Sequence, residues 1–214
     1  MSPPRDKKPS WDRLFEVASH QDGLFTTSQA QEAGYSPQLL AHHLRSGRIA
    51  RVRRAIYRLV HFPLADSEDL TALWLWSERR GAFSHETALM LHQLSDALPR
   101  RPHLTLPCDW RRRRLRVPAE LTLYYADIEV EDRAWFGAVH VTSPRRAVVD
   151  CAAASVSPEL VAQAVDEGLY RGLFTLAMIA PAVDYLAEFG VAVDETPTVR
   201  DSPSLQSRGR TSPA

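Results

Sequence analysis

Lysine is nearly absent from this chain. Of its 26 basic residues only Lys7 and Lys8 are lysine; the rest are arginine. From residue 9 onward no amine is available for a phosphate-binding loop, a Schiff base or a Ser-Lys nucleophile pair. A metal-dependent nuclease of the Asp…Glu-x-Lys type lacks its lysine as well. Cysteine is equally scarce: Cys108 and Cys151 stand far apart and supply neither a disulfide framework nor a zinc site. No run approaches the roughly 18 consecutive apolar residues of a membrane span. The opening Met-Ser-Pro-Pro-Arg-Asp-Lys-Lys leads into no apolar segment, so no signal peptide is expected. The 214 residues, 44% hydrophobic and 24% charged, have the composition of a globular protein with one large or two small domains. The cytoplasm is the expected compartment.

Net charge is absent too, but only in the total. Residues 1–61 carry ten basic against five acidic side chains, and residues 119–190 carry four against eleven. No carboxylate lies between Glu32 and Asp66, a gap that holds Arg45, Arg48, Arg51, Arg53, Arg54 and Arg58. Such asymmetry points to a polyanion as partner of the basic end, or to a solvated basic face with no partner.

Local patterning favours the polyanion. Ser10 precedes apolar residues at 11, 14, 15 and 18, a capped helical face that Asp22-Gly23 ends. A short second helix follows, opened by a capping box at Thr26…Gln29 or Ser28…Gln31 and stopped by Gly34. Ser36-Pro37 starts a third, which runs to Gly47. Its inner face is predicted to hold Pro37, Leu40, Ala41 and Leu44; Gln38, Leu39, His42, His43 and Ser46 are predicted to point outward, with Arg45 at the edge. Two short helices joined at a glycine turn make a helix-turn-helix. Beyond Gly47, apolar residues alternate with arginines as two strands, about 49–53 and 55–60, folded at Arg53-Arg54 into a hairpin, or wing. The candidate DNA contacts are therefore Ser36, Gln38, Leu39, His42, His43 and Arg45 on the helix, with Arg48, Arg51, Arg53, Arg54 and Arg58 on the hairpin, where arginines meet phosphates.

The stretch LFTTSQAQEAGYSPQLLAHHLRSGRIARVRRAIYRL resembles the N-terminal winged helix-turn-helix of the AbiEi antitoxins of type IV toxin–antitoxin systems. Ala55 stands where that family usually has glycine. GAFSHETALMLHQL and VHVTSPRRAVVDCAA resemble the family's continuation, with Ala147 at a usual threonine, so the likeness runs from residue 11 to about 189. It implies a repressor of its own operon, bound to a duplex operator of inverted repeats. It also implies a C-terminal domain that counteracts a co-encoded nucleotidyltransferase-like toxin without needing a stable complex with it.

The expected fold class is α+β: residues 1–9 disordered, a winged helix-turn-helix over 10–65, a mixed α/β domain of about five helices and short strands over 66–190, and a disordered tail over 191–214. Helices are expected at 66–80, 85–94 (capped by Ser84), 145–154, 159–170 and 175–188, with strands at 102–107, 121–125 and 139–142. Asp127, Glu129, Glu131 and Asp132 read as a solvated strand face or as an answer to a basic toxin surface. Arg111, Arg112, Arg113 and Arg114 read as a solvated loop or a contact to nucleic acid or to a nucleotide-bearing partner. Ser84-His85-Glu86 is not a triad, since neighbours on a helix point apart. His85 and His92 miss the spacing of a zinc protease. Asp150 is expected half-buried, making structural hydrogen bonds. No enzyme activity, cofactor, metal or membrane partner is expected. The alternatives are a regulator with no toxin partner and a nuclease-related protein, which the missing lysines disfavour.

Overall fold

A computed structural model describes residues 8–193. The expected loose ends fall largely outside the described residues. The first six elements are α1 (Trp11–Ser19), β1 (Leu24–Thr26), α2 (Thr27–Glu32), α3 (Pro37–Arg45), β2 (Ile49–Arg53) and β3 (Ile56–Leu59). Each helix start is made by the side chain the sequence offers: Ser10 accepts from the Arg13 amide, Thr26 and Gln29 form the reciprocal box, and Ser36 accepts from the Leu39 amide. Strand β1 was not expected. It adds a third, antiparallel strand to the hairpin, in the order β1-β3-β2, and pairs Leu24 with Arg58 and Thr26 with Ile56.

The chain continues through α4 (Glu68–Trp76), β4 (Ala82–Phe83), α5 (His85–Leu91), β5 (His103–Leu106), β6 (Thr122–Tyr125), β7 (Arg133–Phe136), β8 (Val139–Thr142), α6 (Pro144–Ala153), α7 (Pro158–Tyr170) and α8 (Ala180–Glu188). The fold class is α+β. Five strands form a mixed sheet in the order β6-β5-β4-β8-β7, parallel at β5/β6 and β4/β8 and antiparallel elsewhere. No helix among the described residues is long and apolar enough to cross a membrane.

Three local expectations need correction. The acidic stretch is no strand: Val130–Asp132 is a 3-10 turn, and Asp132 is buried. Its carboxylate lies 2.5 Å from Arg145 and 3.4 Å from Arg146, and Arg146 also reaches Asp150 at 2.7 Å. One buried acid against two guanidiniums holds the Asp132 carboxyl below its ordinary range despite burial. Asp150 is half-buried in this network, as its position implied. Ser84 does not cap α5; it accepts from Thr105 at 2.7 Å, and its hydroxyl lies 2.9 Å from Nδ1 of His85. The last helix is shortened to a 3-10 turn, Leu176–Ile179, followed by α8, because Pro181 can sit only in a helix's first turn.

Helix α4 joins the two sheets. Thr71, Ala72, Leu73, Trp74 and Leu75 are consecutive and all buried, so this part of α4 is covered on every side. Leu24 and Ile56 of the first sheet pack in the same cluster as Leu73, Phe83, Leu104 and Val141. A smaller cluster of Leu14, Phe25, Ala30, Leu40, Ile49 and Tyr57 fills the space under α1–α3. Asp22 accepts from both Ser67 (2.9 Å) and Thr71 (2.5 Å), tying the turn after α1 to α4. The expected boundary at residue 65 lies in a connection that packing crosses on both sides.

His85, the first residue of α5, takes a left-handed backbone conformation. Its φ is +53°, its ring stacks on Tyr124 at 3.6 Å, and burial, with His103 and Arg146 nearby, pushes its pKa down to about 4. A histidine held neutral when folded stabilises fully only above its unfolded pKa near 6.5. The stability is lost as pH falls from there towards 4, because the unfolded chain takes the proton first. Urea unfolding should therefore give lower stability at pH 5 than at pH 7.5, with a contribution from His85 of up to about 3 kcal/mol across the full window. His85→Asn tolerates the left-handed backbone and cannot titrate, so its pH slope should be shallower.

Candidate nucleic-acid interface

Helix α3 and the β2–β3 hairpin form one continuous surface without a carboxylate of their own. The Gly47 turn (φ +71°) ends α3 and delivers the chain into β2 within three residues. Strands β2 and β3 pair from Ile49↔Leu59 to Arg53↔Ile56, with a bulge between Arg51 and Arg53. Ile49 and Leu59 face the small core, whereas Arg51 lies outward over the Tyr57 ring, 5.7 Å from its centroid. That cross-strand contact, with a 3.4 Å hydrogen bond to the Tyr57 hydroxyl, holds the guanidinium extended.

Seven of the eleven expected contacts are exposed: Ser36, Gln38, His42, Arg45, Arg48, Arg51 and Arg54. Ser36 spends its hydroxyl oxygen on the α3 cap. Arg45, Arg48, Arg51 and Arg54 make no ion pair among the described residues. Four uncompensated guanidiniums on one helix end and one hairpin are what a phosphate backbone requires.

The other four depart from the outward placement. His43 is buried at 8% exposure, its ring 5.6 Å from that of Tyr35 and 6.1 Å from that of Trp11. Burial lowers its pKa, with Arg48 and His42 adding to the effect, so it packs as a neutral aromatic. The buried stripe of α3 runs through Leu40, His43 and Leu44, rotated by about one residue from the expected face because a neutral imidazole substitutes for an apolar ring. Leu39, at the stripe's other edge, is half-buried against the same core. Arg58 turns inward, donating to Glu68 at 2.9 Å and to the Phe62 carbonyl at 2.8 Å. Arg53 pairs with Glu120 of the connection between β5 and β6. Nothing in the local spacing marks Arg58 and Arg53 as braces, since their acids lie 10 and 67 positions on.

The hairpin tip carries strain. Ala55 has φ +63°, in the left-handed region that favours glycine, and its carbonyl accepts from the Thr27 amide at 2.9 Å. This fixes the tip against the start of α2.

Two helices joined at a turn, the second followed by a hairpin that exposes unpaired arginines, are the arrangement found in DNA-binding regulators. Comparison narrows it. Residues 12–60 match the model of the family described as transcriptional regulator, AbiEi antitoxin. Among solved structures the chain is similar to the RV2827C protein from Mycobacterium tuberculosis, at 16% identity and a TM-score of 0.42, over 86% of this chain and 83% of that one. A search of curated proteins finds no match.

Ala55→Gly removes the strained L-residue at the tip and should raise stability by about 0.5–1 kcal/mol, read as a higher urea midpoint at unchanged slope. An unchanged or lower midpoint would show that the tip is not strained.

Proposed function

We propose that the chain is an autorepressing antitoxin of a type IV toxin–antitoxin system, acting in the cytoplasm. Its first unit, residues 10–65, is a winged helix-turn-helix that binds a duplex operator of inverted repeats. The unit from 66 to 190 counteracts a co-encoded nucleotidyltransferase-like toxin. The observation that carries the DNA-binding half is the set of four exposed, unpaired arginines beside α3, in a family of transcriptional regulators. Gln38 and His42, exposed on the first two turns of α3, are the base readers. Arg45, Arg48, Arg51 and Arg54 hold the backbone. His43, Leu39 and Arg58 shape the surface from behind and touch no DNA; Ser36 holds the helix start. We assign no catalytic step. Ser84 is fully buried under Thr105, out of reach of any substrate.

Binding of the full chain to DNA should fall steeply with salt, with a slope of log K against log salt of at least about −4. Arg51→Ala with Arg54→Ala should flatten that slope by about 2 and weaken all sequences alike. Gln38→Ala and His42→Ala should leave the slope in place and cost roughly 1–3 kcal/mol of preference for the operator. A flat salt response of the wild type overturns the interface.

The division of labour is tested without cutting the chain, because removing the first unit strips α4 of Leu24 and Ile56. The full-length Gln38, Arg51 and Arg54 alanine variant should lose repression of its own promoter yet still relieve growth arrest by the neighbouring toxin. If repression is lost and toxicity is not relieved by the wild type either, the chain is a regulator without an antitoxin role.

A further inference from the structure

Trp135 is held in place and yet left open. It lies in β7 directly opposite His140 of β8, with the ring centroids 3.9 Å apart, so the imidazole backs the indole. The Trp74 ring meets it edge-on at 5.8 Å. Its exposure is nevertheless 63%. An indole fixed from behind and bare in front is a platform for a second flat ring.

The indole lines a cleft of about 300 Å³ between the two units, a size that suits one small ring system. Trp74 and Arg79 line it from the same unit as Trp135, and Gln21, Gln29 and Glu32 from the other. Gln21 and Gln29 are 5% and 7% exposed and pair head to head. Gln29 Nε2 donates to Gln21 Oε1 at 2.9 Å, and Gln21 Nε2 donates back to Gln29 Oε1 at 3.3 Å. Gln21 Nε2 also donates to the Leu24 carbonyl at 3.1 Å, and Gln29 Oε1 also accepts from the Thr26 amide at 2.9 Å. A carboxamide has two N–H donors and two acceptor positions, so one N–H of Gln29 and one acceptor position of the Gln21 oxygen remain, side by side on one edge of the pair. Glu32 and Arg79 make no ion pair among the described residues and balance each other in charge. The cleft therefore favours a neutral polar ring over an anion.

We infer that this cleft binds an uncharged purine, as the free base or its nucleoside, stacked on Trp135 with its hydrogen-bonding edge against Gln21 and Gln29. An adjacent donor and acceptor are what that edge needs: adenine offers a ring nitrogen beside an amino group, and hypoxanthine or guanine a ring N–H beside a carbonyl. Stacking on an aromatic side chain together with hydrogen bonds to the base edge is how proteins read an isolated base. The inference is independent of the DNA-binding reading, since none of these side chains lies on α3 or the hairpin.

The test is isothermal titration calorimetry of the full chain with adenine, adenosine and N6,N6-dimethyladenine. The wild type should bind adenine or adenosine with a Kd of about 1 mM or tighter, and the tighter of the two identifies base or nucleoside as the ligand. Trp135→Ala should weaken that binding by at least about tenfold, the loss expected of one base–aromatic stack, while Trp135→Phe keeps most of it. The dimethylated base has lost its amino N–H and should bind the wild type about tenfold more weakly or worse. This arm needs no variant, so it decides the matter even if Trp135→Ala misfolds. Absence of adenine and adenosine binding overturns the inference. So does undiminished binding in folded Trp135→Ala, or equal affinity for the dimethylated base. Each of these leaves the reading of α3 and the hairpin untouched.

Discussion

Everything in this protein hangs on the burial of α4. Five consecutive buried residues span more than a full turn of α4, so that stretch can exist only with a layer on each side. One layer is the three-stranded sheet, through Leu24 and Ile56; the other is the five-stranded sheet, where Trp74 donates to the Gly81 carbonyl at 3.0 Å and meets Trp135 edge-on at 5.8 Å. Polar clamps fix the angle: Asp22 holds two hydroxyls at the start of α4, and Arg58 holds Glu68. Removing either layer uncovers apolar surface worth about 25 cal/mol per Å², so the DNA-facing hairpin and the second sheet share one stability.

That mounting explains how charge is used. The chain is neutral overall, but its acids are spent in two ways. Some brace arginines that must not move: Glu68 with Arg58, Glu120 with Arg53, Asp132 with Arg145 and Arg146. Of the remaining acids nine lie in residues 119–190, and none lies between Glu32 and Asp66. The result is a basic face free of internal competitors.

Much of this was legible before any coordinates. The caps at Ser10, Thr26 and Ser36 are all made as their spacing implied, because a cap is a local contact between residues three apart. The hairpin and its exposed arginines were legible from alternation. What failed depends on distant partners. His43 reads as polar until Trp11 and Tyr35 enclose it. Arg58 reads as a phosphate contact until Glu68 claims it. Asp132 reads as solvated until α6 brings Arg145 and Arg146. Strands β1, β4 and β7, two to four residues each, are too short to show a period. Ala55 was marked by its departure from a family glycine, and the structure supplies the reason in a φ of +63°.

The most direct measurement is amide hydrogen exchange of the full chain with and without saturating duplex taken from upstream of its own coding sequence. If α3 and the hairpin are the face that DNA covers, exchange slows across residues 36–58, while α7 and α8, which pack on α6, keep their free rates. Protection confined to α7 and α8, or none at all under conditions where the DNA is bound, would contradict that assignment.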